Sequence, residues 1–181
     1  MTPRIAIRVR PGARDLWHAF GERMLELERA EWRERAFSRE EVRRQATAAR
    51  SLVATIERDG ALLGFAVAMP GWSEGRATLN NVLVDPEHRG QGLVWRMLAA
   101  LERELRERYD ALVIDARVDN GFADAVEERY GDRATVIASD HPSEYGPQRT
   151  IEVALRARAP QRRSARSRGA SRARNASRPR R

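Results

Sequence analysis

The chain has 181 residues and no cysteine, which excludes disulfides, thiolate metal sites and a cysteine nucleophile. Its net charge of +8 belongs to one end: residues 156 to 181 hold 11 of the 34 basic residues and no acid, which leaves 23 basic against 26 acidic side chains elsewhere. No apolar run approaches the roughly 20 residues of a membrane span, and residues 1 to 10 lack a signal-peptide core. We therefore expect a soluble cytoplasmic protein with no membrane partner and, because its three histidines are far apart, no metal.

The first part of the chain predicts one strand and two helices. Residues 4 to 10 place apolar and arginine side chains on alternate faces, the pattern of a half-buried strand. Asp15 is then expected to cap a helix with an apolar stripe at helical spacing. Ser38 with Glu41 three residues later forms a capping-box pattern, which starts a second helix toward residue 50. The apolar stripe of the first helix comprises Leu16, Phe20, Met24 and Leu27.

Three apolar segments rich in β-branched residues follow, separated by two turns. Asp59-Gly60 lies between the first two segments and is a strong hairpin signal, and residues 70 to 75 form the second turn. The segments therefore predict three antiparallel strands that lead into a glycine-bearing loop. These strands are expected over residues 52–56, 62–69 and 77–84.

The glycine-bearing loop opens a long amphipathic helix. Asp85-Pro86 ends the preceding strand, and Gly90 and Gly92 come directly before the helical pattern. Such a loop leaves backbone N–H groups free at the positive end of the helix dipole, which favours an anion. Because glycine lacks a Cβ, the main chain can come close to that anion, above all a phosphate. A simple turn is the alternative interpretation. The helical stripe comprises Val94, Met97, Leu98, Leu101 and Leu105.

The remaining elements complete an α/β pattern. A strand is expected over residues 111–118, a short helix over 122–130 and two further strands over 134–138 and 150–155. The element order is therefore β, α, α, β, β, β, α, β, α, β, β. Residues 1–155 form this domain, and residues 156–181 form an arginine- and serine-rich tail that lacks large apolar residues and is expected to be disordered.

The segment from Val84 to Leu93, VDPEHRGQGL, resembles the acyl-coenzyme A signature of the GCN5-related N-acetyltransferase (GNAT) family. In that family a strand ending V-x-P is followed by (R/Q)-x-x-G-x-(G/A). This chain is compatible with five of those six positions and has Val94 where glycine or alanine is usual. The resemblance extends over residues 4 to 155. It implies the family's fold, a mixed central sheet of about seven strands with four helices on its two sides.

The resemblance also implies acetyl-CoA as co-substrate and indicates which residues hold it. Backbone N–H groups from Arg89 to Val94 would hold the pyrophosphate, and the strand end from Val82 to Val84 would lie along the pantetheine. The N–H of Val82 or Leu83 would polarise the thioester carbonyl. The implied cofactor-binding residues are Val82, Leu83, Val84, Arg89, Gly90, Gln91, Gly92, Leu93, Val94 and Asn120.

Acetyl transfer to an amine is helped by an acid that protonates the leaving thiolate. The family pattern N-x-x-A-x-x-(L/F)-Y begins here with Asn120 and Ala123, but Glu127 occupies the tyrosine position. Tyr130, three residues later, is therefore the candidate acid, and packing beside Phe122 is the alternative. Asn120 is expected to contact pantetheine, although capping the helix would also explain it.

The candidate base and the residue that orders the amine both lie near the central strand. The family often places a glutamate near the start of that strand. Arg76 stands there in this chain, so Glu74 is the candidate base, with solvation in a turn as the alternative. Asn80 and Asn81 point to opposite faces of the strand, so at least one amide needs a partner inside the protein. We expect Asn81 to face the cleft and to order substrate or a water molecule. The aromatic residues that either line the acceptor entrance or pack on the sheet are Trp17, Trp32 and Phe37.

These features predict an acyl-CoA-dependent N-acyltransferase that transfers acetyl from acetyl-CoA to a primary amine by direct attack in a ternary complex. The acceptor would be a small molecule or a protein, and the enzyme would be a monomer or a homodimer. The alternative is a nucleic-acid-associated protein with the same fold, tethered by its basic tail, in which Val94 and Glu127 mark altered or weak acetyl-CoA chemistry. Eleven guanidinium groups on a flexible chain bind polyanions, but no aromatic residue accompanies them to stack on bases.

Overall fold

A computed structural model describes residues 4 to 156 of the protein. Within these residues the element order predicted from the sequence is confirmed, with seven strands and four α-helices. The predicted tail lies outside the described residues except for Arg156. The strands are β1 (Ala6–Pro11), β2 (Leu52–Arg58), β3 (Ala61–Pro70), β4 (Arg76–Val84), β5 (Ala111–Arg117), β6 (Ala134–His141) and β7 (Gln148–Ala154). The helices are α1 (Arg14–Trp32), α2 (Arg39–Thr47), α3 (Leu93–Leu105) and α4 (Phe122–Tyr130).

The helix starts show one correction and one confirmation. Helix α1 begins one residue before Asp15, with Ala13 as its N-cap, so Asp15 lies in the first turn and is not the cap. Its carboxylate there still favours the helix through the dipole. Helix α2 has the predicted capping box: the Ser38 N–H donates to the Glu41 carboxylate at 2.8 Å, and the Glu41 N–H donates to the Ser38 hydroxyl at 3.3 Å.

All seven strands form one sheet in the order β1-β2-β3-β4-β5-β7-β6. Only β4 and β5 are parallel neighbours, and their pairing extends from Arg76 opposite Ala111 to Leu79 opposite Ile114. Beyond that point β4 continues to residue 84 and β5 to residue 117 with no pairing between them among the described residues. We call the space between residues 80–84 and residues 115–117 the β4–β5 gap.

A β-bulge in β4 decides which side chains face each side of the sheet. Val67 of β3 lies opposite Asn81, but the next residue, Ala68, lies opposite Leu79, so Asn80 has no partner in the register. Residues two apart in a regular strand share a face. The extra residue instead sends Leu79 toward the cluster around α3 and turns Asn81 toward α1.

Two apolar clusters fill the two faces of the sheet. One buries the inner side of α3 and α4, including Met97, Leu101 and Val126. The other joins α1 and α2 to β3 through Met24, Val42 and Phe65. Burial of these faces supplies most of the favourable free energy of folding. Within the part of the chain that the structure describes, no helix is long and apolar enough to cross a membrane.

Candidate active site

The loop before α3 has the conformation that an anion site requires. Gly90 and Gly92 both have positive φ, +74° and +68°, and Gly92 is the N-cap of α3. A Cβ added to either glycine would meet no atom within 4 Å, so the space beside the main chain is open. The first hydrogen bond of the helix runs from the Arg96 N–H to the Gly92 carbonyl, and the preceding N–H groups have no acceptor within the helix. The loop therefore offers free backbone donors and open space to an anion.

The side chain of Val94 packs against the protein core. Val94 is half-buried and packs against the apolar cluster beneath α3, and its neighbour Leu93 is buried in that cluster. The bulk at position 94 is therefore partly accommodated by the protein. The geometry of the loop is compatible with the cofactor expected from the sequence.

The side chain of Arg89 ties the loop to α1 and β4. Its Nε donates to the Val84 carbonyl at 3.1 Å, and an Nη donates to Glu31 at 2.7 Å. The second oxygen of Glu31 lies 3.7 Å from the guanidinium of Arg117 at the end of β5. That guanidinium also lies 5.1 Å from the ring centroid of Trp32. Glu31 thus connects the two borders of the β4–β5 gap.

Two N–H groups of β4, those of Val82 and Leu83, were predicted to polarise a carbonyl. The pairing of β4 with β3 leaves only one of the two free. The Asp85 N–H donates to the Leu63 carbonyl of the facing segment at 2.8 Å. Hydrogen-bonded and non-hydrogen-bonded pairs alternate along an antiparallel ladder. Leu83, opposite Phe65, therefore bonds to β3, whereas the N–H of Val82 points away from β3 toward the β4–β5 gap.

Asn81 lies next to that N–H, on the α1 side of the sheet. It is buried, and its Nδ2 donates to the Glu28 carboxylate at 2.9 Å. Glu28 is fully buried and also accepts the Phe37 N–H at 3.3 Å. Burial raises the pKa of Glu28 above its ordinary value. The expectation that one of the paired asparagines needs an internal partner is confirmed.

Three half-buried aromatic rings lie beside Glu28. Tyr145, in the loop between β6 and β7, contacts Trp32 at 5.1 Å and Phe37 at 5.9 Å between ring centroids. Trp17, the third aromatic residue considered from the sequence, packs against the apolar cluster under α1, as Phe37 also does. The rings of Trp32 and Tyr145, with Glu31 and Arg117, line an open pocket at the mouth of the β4–β5 gap.

Glu74 lies away from this pocket. It is exposed in the turn before β4, at the opposite end of that strand from Val84. The strand residues between Arg76 and Asn81 alone span roughly 15 Å. The structure therefore does not bring Glu74 together with Asn81, and the alternative of a solvated turn describes its place.

Tyr130 is a core residue in the structure. Its hydroxyl donates to Glu102 at 2.8 Å, and its ring packs near Trp95. Burial, with the adjacent Glu102 carboxylate, raises the pKa of Tyr130 well above its ordinary value. The predicted acid is thus directed toward α3 and away from the gap. Glu127, at the position where the family has a tyrosine, pairs with Arg149.

Asn120 lies one residue before Gly121, which is the N-cap of α4. Its Oδ1 accepts the Phe122 N–H at 3.0 Å at the start of α4. Asn120 is thus not the cap itself, but this hydrogen bond to the first turn accounts for its side chain, and contact with pantetheine stays a prediction.

Sequence inspection missed two residues that line the pocket, Glu31 and Tyr145, and the buried partner of Asn81, Glu28. A signal existed for Glu28, because it follows Met24 by four positions and so falls on the buried stripe of α1. No local pattern indicates that Tyr145 meets Trp32, since 113 positions separate them in the sequence. Within residues 4 to 156, no three His, Asp or Glu side chains are grouped to hold a metal ion.

Three solved structures with the same fold are named as acetyltransferases. The ribosomal-protein-S18-alanine N-acetyltransferase of Escherichia coli has a TM-score of 0.64 and 21% identity, covering 86% of this chain and 98% of that one. An aminoglycoside 6'-N-acetyltransferase complexed with coenzyme A has a TM-score of 0.70 and 15% identity, covering 84% and 99%. The diaminobutyrate acetyltransferase of Paenibacillus lautus, in complex with L-2,4-diaminobutyric acid and coenzyme A, reaches 0.68 at 18% identity, covering 84% and 96%. The fold is therefore that of the acyl-CoA N-acyltransferases.

Sequence comparison defines the family. Residues 17–131 match the Acetyltransferase (GNAT) family. The ribosomal protein bS18-alanine N-acetyltransferase of Escherichia coli strain K12 is 33% identical over 102 residues, which are 55% of this chain and 68% of that protein. The chain belongs to the GNAT family and is an N-acetyltransferase.

Proposed function

We propose that this N-acetyltransferase takes acetyl from acetyl-CoA and transfers it directly to a primary amine while both are bound. The observation that carries the proposal is the β4–β5 gap, which opens beside a glycine loop with free backbone donors. Acetyl-CoA, when bound, supplies an acyl thioester that an amine can attack. No covalent acyl-enzyme is required, and the chain has no cysteine to form one.

The residues of the loop and of β4 hold the donor. The N–H groups between Gly90 and Val94, at the positive end of α3, bind the diphosphate. Arg89 adds guanidinium donors that its bonds to Val84 and Glu31 leave free, because the group has five N–H donors. The backbone N–H and C=O groups of β4 that face the β4–β5 gap lie along the pantetheine. The N–H of Val82 donates to the acyl oxygen.

The acceptor enters on the α1 side, where Asn81 and the Trp32–Tyr145 pocket lie. Asn81 contacts the amine and orders it beside the N–H of the next residue, Val82. The name of the E. coli relative with 33% identity indicates alanine of ribosomal protein bS18 as its acceptor. A peptide that begins with alanine is therefore the first acceptor to test, ahead of diamines and aminoglycosides.

Acetyl-CoA binding to the full chain, measured by titration calorimetry, tests the donor site. The wild type should bind one equivalent, and Gly92→Ala should weaken binding at least tenfold, because its Cβ points into the open cradle. Gly60→Ala is the matched control: Gly60 has φ +82° and an equally open surrounding, but it lies in the β2–β3 turn. Both variants carry a similar strain of about 1 kcal/mol. No heat with the wild type, or equal loss in both variants, would contradict the proposal.

The nucleic-acid alternative depends on residues beyond 156, which the structure does not describe. It stays a prediction, as do cytoplasmic location and the choice between monomer and homodimer.

A further inference from the structure

We infer that Glu28 is a positioning residue that fixes the amide of Asn81 so that its oxygen faces the acceptor amine. The inference rests on the proposed function and adds a residue to its acceptor side. Glu28 lies in α1 and is fully buried. It accepts a hydrogen bond from Asn81, which follows it by 53 positions in the sequence. An ionised carboxylate can only accept hydrogen bonds, so the NH2 group of Asn81 must turn toward Glu28.

The oxygen of Asn81 is thereby left for a ligand. Among residues 4 to 156, no hydrogen bond reaches the Oδ1 of Asn81, and the residue keeps 6% of its surface exposed. An amide oxygen accepts an N–H from an amine and so can hold the nitrogen in place with its lone pair directed elsewhere. Without Glu28 the amide could rotate by half a turn and present donors that repel an ammonium or misplace the amine.

The position of Asn81 makes this orientation useful. The bulge at Asn80 turns Asn81 toward α1, whereas the N–H of the adjacent Val82 points into the β4–β5 gap. Consecutive residues of a strand advance by about 3.3 Å. An amine held by the oxygen of Asn81 therefore lies beside the carbonyl that the Val82 N–H polarises.

The surroundings of Glu28 distinguish it from a carboxylate that stabilises the fold. Its hydrogen bonds come from two neutral donors, Asn81 and the Phe37 N–H, and the charges of Glu31 and Glu41 raise its pKa further because they are also acidic. Burial of a carboxylate without a cation costs stability. Glu57, by contrast, is buried against Arg10 at 2.8 Å. A cost of this kind is typical of residues that serve activity.

The test compares Glu28→Gln with Glu57→Gln in the full chain. Glutamine keeps the shape of Glu28, but it can donate as well as accept, so the Asn81 amide loses its fixed orientation. With an alanine-initiated peptide as acceptor, we expect kcat/KM for the peptide to fall at least tenfold in Glu28→Gln. The dissociation constant for acetyl-CoA should stay within twofold of the wild type, and the unfolding temperature should not fall. Glu57→Gln should retain the wild-type kcat/KM.

A double-mutant cycle decides whether Glu28 acts through Asn81. If it does, Asn81→Ala combined with Glu28→Gln is no slower than Asn81→Ala alone. An active wild type with unchanged kcat/KM in Glu28→Gln, or additive losses in the double variant, would overturn the inference and leave the proposed function standing. Absence of acetyl-CoA binding by the wild type would remove both.

Discussion

At the scale of single residues, Tyr130 is held by contacts that belong to the protein core. Its hydroxyl donates to Glu102, which also accepts from Arg133 and, at 3.3 Å, from Arg106. Trp95 and Arg133 pack against its ring. A tyrosine engaged in this way contributes to stability and has no free proton for a leaving thiolate.

Tyr130→Phe should therefore lower the free energy of unfolding by about 1 to 2 kcal/mol, the contribution of a hydrogen bond to a buried carboxylate. Urea unfolding measures this loss. The same variant should keep kcat within twofold of the wild type, measured with saturating acetyl-CoA. A fall in kcat of tenfold or more would restore Tyr130 as the acid.

Burial of Glu28 predicts how the stability of the protein depends on pH. Burial raises its pKa above the ordinary value near 4.5. A group with a raised folded-state pKa contributes stability that is present below its unfolded pKa and is lost as the pH rises through its folded pKa. Glutamine does not ionise, so the Glu28→Gln variant does not lose this stability as the pH rises. The stability of the variant relative to the wild type should therefore increase from pH 4.5 toward pH 8 in urea unfolding. A difference that stays constant would show that Glu28 keeps an ordinary pKa.

At the scale of elements, the C-terminal end of α1 borders both halves of the site. Glu31 pairs with Arg89 of the glycine loop and lies near Arg117 of β5, and Trp32 beside it contacts Tyr145. In the proposed function, the carboxylate of Glu31 competes with the diphosphate of acetyl-CoA for the guanidinium of Arg89. Surface pairs of this kind contribute at most about 1 kcal/mol.

Glu31→Gln should therefore tighten acetyl-CoA binding about two- to fivefold at low ionic strength, because it removes both the competing partner and a negative charge. The gain should disappear in 0.5 M salt, since exposed charges are then screened. Glu34→Gln, an exposed glutamate of the same segment, is the control and should change affinity less. Weaker binding by Glu31→Gln would mean that the pair holds Arg89 in its productive position.

At the scale of the whole molecule, the proposed donor and acceptor sites lie toward different faces of the sheet. The glycine loop opens α3 on one face, whereas Asn81 and the Trp32–Tyr145 pocket lie on the α1 side. The β4–β5 gap connects the two faces. The proposed function therefore places donor and acceptor on separate surfaces, where both are bound at the same time.

Simultaneous binding predicts sequential kinetics. Initial rates measured with varied acetyl-CoA at several concentrations of an alanine-initiated peptide should give intersecting double-reciprocal lines. Parallel lines would indicate a covalent acyl-enzyme and would contradict direct transfer.

The features of the fold and the site that could be predicted are those whose interacting residues lie close together in the sequence. The capping box of α2, the Asp59-Gly60 hairpin and the glycine loop are each encoded within a few neighbouring residues, and all three were found from the sequence. The element order followed from them. The partner of Asn81 lies 53 positions away and that of Tyr130 lies 28 away, and no local pattern encodes either contact. The bulge at Asn80 is equally invisible in the sequence, although it determines which side of the sheet Asn81 faces.

Amide hydrogen exchange of single residues, followed by NMR in the full chain, tests the central claim most directly. The register leaves the Val82 N–H pointing into the β4–β5 gap, and the Leu83 N–H bonded to β3. Saturating acetyl-CoA should slow exchange of Val82 and of the loop amides near Gly92 at least tenfold, whereas Leu83 should be protected with or without it. If acetyl-CoA binds and leaves the exchange of Val82 and Gly92 unchanged, the gap and the glycine loop are not the donor site.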